Sequence, residues 1–300
     1  MVSKRKGNNI NGWIIIDKPA GITSTGVVSK IKRAFNAKKV GHAGTLDPDA
    51  TGVLPIALGE ATKTIPYVTN AKKSYSFCIK MGAATNTDDA DGKVIATSTK
   101  RPTDTEIIEK LKTFQGETMQ VPPKFSAVKI DGERAYKLAR AGEEVKVSAR
   151  PLLVSKLILI ERPSVDTAIL EMTCGKGGYV RAIARDLGDA LGCYAHVLNL
   201  RRVWAGPFNL KSCVTLKTIE SFAKTLEIDQ FLLPLEEGLT DLPKGTTNAE
   251  GAAKLRNGNS AVCFANADYG DEIWASYDGK AQAIGHFKSG EIHPKRVIIQ

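Results

Sequence analysis

KVGHAGTLDPDATGVLPIALGEATK, residues 39–63, is the stretch on which the reading of this chain turns. Gly41, Gly44, Gly52 and Gly59 interrupt it, and no 3.6-residue apolar period runs through it, so it reads as a structured loop with one buried strand. Asp47 stands before Pro48. Asp-Pro is a common turn initiator, so Asp47 alone reads as a turn residue. His42, Asp47 and Asp49 also invite a metal reading. One histidine and two loosely spaced carboxylates argue against it, and His196, His286 and His293 are too scattered to complete a ligand set.

Before this stretch, Asn8, Asn9, Asn11 and Gly12 are turn formers that lead into a short strand, Trp13 to Asp17. Lys18-Pro19-Ala20-Gly21 is a turn. Ser24 is the expected cap of a helix that carries Val27, Val28, Ile31 and Phe35 on one face. Lys30, Lys32, Arg33, Lys38 and Lys39 lie on that helix or just past it. After the stretch, residues 73–81 alternate as a strand and 104–114 read as a helix. A basic helical segment is expected around 134–140, strands at 151–160 and 167–173, and a helix at 179–191. Loop residues at 234–248 suggest a boundary. Short runs at 261–264, 273–275, 281–286 and 296–299 then predict a small all-β module.

Composition narrows the class. The chain has 300 residues with 42% hydrophobic and 25% charged, enough for two domains and a sizeable core. No apolar run approaches the ~18 residues of a membrane span, and none makes a secretory segment, so a cytoplasmic location is expected. Five scattered cysteines without a CxxC pair predict neither a disulfide framework nor a cysteine zinc site. Net charge is +10 and uneven. Residues 1–40 hold nine Lys/Arg against Asp17 alone, whereas residues 211–300 hold ten against twelve acids. A basic N-terminal region suits a polyanion such as nucleic acid, although a solvated helix face has the same composition.

Two further motifs stand alone poorly. TNTDDADG, residues 85–92, fails as a calcium loop: with Gly92 at the sixth position, Thr87 and Ser98 occupy places that need carboxylates. It reads as an acidic loop between strands. GKGGYVR, residues 175–181, is similar to a phosphate-binding turn before a helix but lacks the Ser or Thr of a P-loop. It reads as a strand-to-helix turn with Arg181 at the helix start.

Taken in order, the segments GWIIIDKPAGITS (12–24), KVGHAGTLDPDATGVLPIALGEATK (39–63), KSYSF (73–77), GKGGYVRAIARDLG (175–188) and AHVLNLRR (195–202) resemble the bacterial tRNA pseudouridine synthase B family. The resemblance covers about residues 10–300. It implies an α+β fold: a mixed, largely antiparallel central sheet with flanking helices, plus a small C-terminal β-barrel of the PUA type. Residues 1–9 read by themselves as a flexible basic leader, and the resemblance implies a catalytic domain over 10–240 with a thumb-like RNA-binding insertion at 121–150 and an RNA-binding PUA-like domain over 245–300. The activity implied is isomerisation of uridine 55 in the T-loop of tRNA to pseudouridine, with base flipping. No cofactor, metal, membrane or obligatory protein partner is expected, and a monomer is.

The resemblance also assigns residues. The catalytic carboxylate maps onto Asp47, its arginine partner onto Arg181, and the tyrosine that stacks on the target base onto Tyr75. Tyr179 and Leu200 line the pocket, and Lys18 lies near the catalytic loop. His42 matches a histidine that fills the gap left by the flipped base. Lys32, Arg33, Lys38 and Lys39 are expected on phosphates. Two positions depart from the pattern: Gly178 stands where Thr is usual and Asn86 where Asp is frequent. Two other readings remain: a guide-dependent enzyme acting on ribosomal RNA, which usually lacks an insertion like 132–151, and a tRNA-folding chaperone without chemistry.

Overall fold

A computed structural model describes residues 7–130, 132–143 and 145–300. The basic leader expected over 1–9 lies outside the described residues for its first six positions. The chain forms two compact units. Of the described residues, the first comprises 7–48, 52–71 and 205–300, and the second comprises 49–51 together with those between 72 and 204.

The first unit is built on the strand Gly12–Lys18. Trp13, Ile14, Ile15 and Ile16 are all buried, which explains the unbroken apolar run: both faces of the strand are covered. It pairs antiparallel with Thr51–Leu58 along its whole length, from Gly12 opposite Leu58 to Lys18 opposite Gly52. The short strand Val40–His42 also pairs antiparallel with Thr51–Leu58. The helix Ser24–Ala34 buries Val27 and Ile31. Its cap is Thr23, not Ser24: the Thr23 hydroxyl accepts from the Gly26 amide at 2.9 Å. Ser24 is buried and does other work, described below.

The C-terminal part of this unit is a six-stranded sheet in the order 261–262, 291–297, 280–288, 272–277, 244–246 and 264–265. Its two end strands are separated in sequence by Cys263 alone, so the sheet curls into a nearly closed barrel. Leu255, Ile273, Ala283 and Ile292 fill its interior. The last strand is Glu291–Val297, not 296–299. Pro294 hides its start in the sequence, since proline usually interrupts a strand; here it sits opposite Gly285, beside a register shift. Trp274 and Ile284 join Trp13, Leu235 and Leu239 in one apolar cluster.

In the second unit, Ala195–Ala205, Lys73–Met81, Thr167–Cys174, Arg150–Ser164 and Gly116–Gln120 lie side by side in that order. The last four are antiparallel to one another where they pair. The helix Asp104–Lys112 opens with a capping box made by Thr103 and Glu106. The helix Val180–Leu191 buries eight of its residues and ends on Gly192 in the left-handed conformation (φ 69°). The segment at 121–150 carries a two-residue hairpin and the helix Ala135–Arg140. The acidic loop at 86–92 does join two strands, Ala83–Thr85 and Val94–Thr97.

Candidate active site

The loop that bears Asp47 is pinned on both sides of it. Ser24 Oγ donates to the Leu46 carbonyl and accepts from the Leu46 amide, both at 2.9 Å. Lys18, fully buried, donates from Nζ to the carbonyl of Pro48 at 2.6 Å and to that of Pro19 at 2.8 Å. Ala43 N–H donates to the Pro55 carbonyl at 2.9 Å. Residues i−1 and i+1 of Asp47 are thus fixed by buried side chains, and Leu46, Ala43 and Ala50 are buried beneath the loop. Gly44 at φ +96° takes a turn that a side chain would strain. The Asp47 side chain itself is half-buried. A carboxylate on a rigid, anchored turn holds its direction without moving during a reaction.

Lys18 therefore acts on the loop's backbone through its ammonium. A Ser at a helix start is usually a cap, which is why Ser24 reads as one; its bond to Leu46, 22 residues away, has no local signature. If Asp47 reacts with RNA as the family resemblance implies, Ser24→Ala should lower turnover about tenfold while leaving RNA affinity within about threefold, since small displacements of a reacting group are costly. Steady-state kinetics and equilibrium binding on the same RNA check this; equal losses in both would mean that the fold, not the aim of Asp47, has changed.

His42 ends the strand Val40–His42, opposite Ile56, and is half-buried. Lys32, Arg33, Lys38 and Lys39 are all solvent-accessible, and none forms an ion pair within the described residues. Lys30 differs: its Nζ lies 2.6 Å from Glu220. The four residues make a basic face without internal neutralisation.

The second unit carries Tyr75, Tyr179, Arg181 and Leu200. Tyr75, opposite Met172 on the strand Lys73–Met81, is 8% exposed. Leu200 is half-buried, and its carbonyl accepts from Thr51 Oγ1 at 3.4 Å. Tyr179 precedes the helix Val180–Leu191 and is tied to the buried amide of Gln120. Its N–H donates to Oε1 at 2.9 Å, and its carbonyl accepts from Nε2 at 3.2 Å. A side chain at Gly178 would collide with Cys174 Sγ, which accounts for glycine there. Asn86 accepts from the Lys93 amide at 2.8 Å and closes the acidic loop, a bond that Asp could also make.

Arg181 is 6% exposed. Its guanidinium donates to the Thr87 and Phe125 carbonyls, both at 3.0 Å, and lies 3.4 Å from Asp89 Oδ2. One turn on, Arg185 pairs with Asp88 at 3.0 Å. Two arginines four residues apart thus hold the two central aspartates of the acidic loop. Burial pushes the Asp88 carboxyl up, and Arg185 and Arg181 pull it partly back. A hydrogen bond with Asp49 raises Asp91. The sequence reading does not single out Asp88, Asp89 or Arg185; the i, i+4 arginines and the acidic TNTDDADG loop are the signal it offers. On the neighbouring strand, burial lowers Lys73 to about 8, helped by the nearby Arg202. Among the described residues, no group of three or more His, Cys, Asp or Glu side chains is placed to hold a metal ion.

Residues 32–180 match the family described as TruB family pseudouridylate synthase (N terminal domain). Residues 181–240 match tRNA pseudouridylate synthase B C-terminal domain. The chain is 63% identical over 301 residues to tRNA pseudouridine synthase B of Ruegeria sp. (strain TM1040), with all of both chains covered. It is 47% identical to the protein of the same name from Agrobacterium fabrum, covering 98% of this chain and 96% of that one. Among solved structures, a Cbf5-Nop10-Gar1 complex matches with a TM-score of 0.74 at 25% identity, covering 96% of this chain and 85% of that chain. An H/ACA RNP bound to a substrate RNA containing 2'-deoxyuridine matches with a TM-score of 0.75 at 23% identity, again over 96% and 85%, a likeness of fold.

Proposed function

Because the chain belongs to the TruB family of pseudouridylate synthases, we propose that it isomerises uridine to pseudouridine in tRNA, at position 55 of the T-loop. The carrying observation is the pinned loop around Asp47, in a chain whose relatives over its whole length are tRNA pseudouridine synthase B. In this reaction the C1′–N1 bond breaks and a C1′–C5 bond forms. N1 gains a proton and C5 loses one, so nothing is oxidised and no group departs. Asp47 supplies the carboxylate that meets the developing charge at C1′ or takes the proton; glycosidase carboxylates do comparable work. Tyr75 stacks on the uracil, with Tyr179 and Leu200 lining its pocket. His42 fills the space left by the extracted base, which costs a few kcal/mol, roughly, to unstack. Arg181 braces the acidic loop beside this pocket.

The enzyme acts on its own, as a cytoplasmic monomer. No helix among the described residues is long and apolar enough to cross a membrane. The catalytic domain is residues 10–240, with 121–150 gripping the T-loop, and the barrel at 245–300 is a PUA-like RNA-binding module. The test is incubation with unmodified tRNA and mapping of pseudouridine at single-nucleotide resolution. Modification at position 55 alone supports the reading. Refolding of tRNA without modification would replace it with a chaperone.

The basic face gives a second expectation. Neutralising Lys32, Arg33, Lys38 and Lys39 together should weaken tRNA binding. The log–log salt slope should fall by up to about 0.9 for each duplex phosphate that is no longer neutralised. Binding titrations at several salt concentrations check it; an unchanged slope would make this face merely solvated.

A further inference from the structure

In the second unit, Tyr75 and Leu200 stand on neighbouring strands, Lys73–Met81 and Ala195–Ala205. Side chains two positions apart on a strand share a face and lie about 7 Å apart along it. Two positions from Tyr75 stands Lys73, 6% exposed, and two positions from Leu200 stands Arg202, 1% exposed. The charge of Arg202 acts on Lys73, so these two buried cations lie close together. Across the ladder Lys73 is opposite Cys174, and a side chain at Gly178 would collide with the Cys174 sulfur. Lys73 therefore shares the face of Tyr75, in the row beneath the turn that leads to Tyr179. Burying two like charges side by side opposes folding, and an apolar side chain of similar length would fill the place without that cost. A charge kept where it destabilises points to a role in chemistry.

The isomerisation needs positive charge on this side of the ring. When the C1′–N1 bond breaks, its electron pair stays with the uracil. The ring becomes an anion whose charge spreads over N1, O2, C5 and O4. The pair is used again when C5 bonds to C1′; C5 then loses its proton and N1 gains one. No proton has to pass through a lysine.

We infer that Lys73, backed by Arg202, holds positive charge behind Tyr75 that stabilises the uracil anion between cleavage and reattachment. The inference rests on the pseudouridine reading above. The charge acts across the tyrosine ring and does not touch the substrate, which accounts for the burial of both cations. Arginine stays charged throughout the working pH range, whereas Lys73 does not. Burial, Arg202 and Lys176 pull Lys73 down to about 8. The groups that face it are Arg202 and Cys174 from the strands on either side and exposed Lys176 from the turn. Burial pushes the Cys174 thiol up to about 11, so it stays neutral where Lys73 loses its charge.

The test uses the full chain and unmodified tRNA. Single-turnover rates at saturating enzyme are measured from about pH 6 to about pH 10, which brackets Lys73 and nears the ordinary lysine value. Wild type should slow as pH rises through about 8, because the protonated lysine is the form that helps. Lys73→Met should be about thirtyfold slower at neutral pH, less than the loss of a donor in contact with the developing charge. It should lack the fall near pH 8, and its tRNA affinity should stay within about threefold, because the bound uridine is neutral. Lys73→Arg should stay within about threefold of wild type at neutral pH and hold its rate past pH 8. A fall near pH 8 that persists in Lys73→Met would overturn the inference. So would Met and Arg variants that are equally slow at every pH, since the lysine would then only pack. If a melting curve shows Lys73→Met to be unfolded, wild type and Lys73→Arg decide, and coincident profiles overturn it. Wild type alone also decides against it if its rate is flat through pH 8. If wild type leaves uridine unmodified at every pH, the pseudouridine reading fails; if it modifies uridine at such a flat rate, only the role of Lys73 fails.

Discussion

Asp47→Asn should abolish pseudouridine formation while leaving tRNA affinity within about tenfold, or ~1.4 kcal/mol. The amide keeps the size and shape of the carboxylate but can neither attack carbon nor take a proton at neutral pH. The loop should survive the change, because its anchors do not use the Asp47 side chain. Ser24 holds the backbone of Leu46, and Lys18 holds the carbonyl of Pro48. Loss of activity can therefore be assigned to chemistry rather than to collapse of the turn. The measurement is release of tritium from C5-labelled uridine under single-turnover conditions, with binding measured on the same sample. Turnover above contamination would remove Asp47 from the reaction and leave the pinned loop without a catalytic purpose.

The elements are legible in the sequence where local pattern and tertiary setting agree. The run at 13–16, the alternating strand at 73–81 and the helix at 180–191 announce themselves by period and flanking residues. What stays hidden depends on partners distant in the chain. Ser24 looks like a cap because its reach to Leu46 spans 22 residues. Lys18 looks like a turn residue, yet its ammonium is spent on the carbonyls of Pro19 and Pro48. The acidic loop lacks the carboxylates of a calcium site, and the sequence says so. Its partners, Arg181 and Arg185, lie more than ninety residues further on, and spacing cannot pair them with Asp89 and Asp88. Pro294 misleads in the opposite way, since an irregular register tolerates the residue that normally ends a strand. Asp47 itself is found through a motif; the physical reason for the motif, an anchored turn, belongs to the folded chain.

Arg181 offers the sharpest test of how the second unit works. Its guanidinium binds two carbonyls and one carboxylate at once, which a lysine ammonium cannot match in geometry and a methionine cannot match at all. Arg181→Lys should lower turnover by about tenfold and Arg181→Met by about 10²-fold, the scale of misplacing a site by a change away from the reacting atoms. Stability should respond to pH as well. In the native protein Asp88 is raised by burial and Asp91 by its bond to Asp49, and the Arg181 charge opposes both shifts. Without that charge, both carboxyls hold their protons to still higher pH in the folded state. A folded-state pKa above the unfolded one, about 4 for Asp, makes the folded protein bind more protons in the interval between them. Stability present below that interval is lost as pH rises through it. The deficit of Arg181→Met against wild type should therefore be small near pH 4, roughly the unfolded Asp value, and widen toward neutrality, whereas Arg181→Lys should run nearly parallel to wild type. Denaturation midpoints across this range decide the point. A deficit in Arg181→Met that is the same at every pH would mean that Arg181 supports the loop through its two carbonyl bonds and its packing.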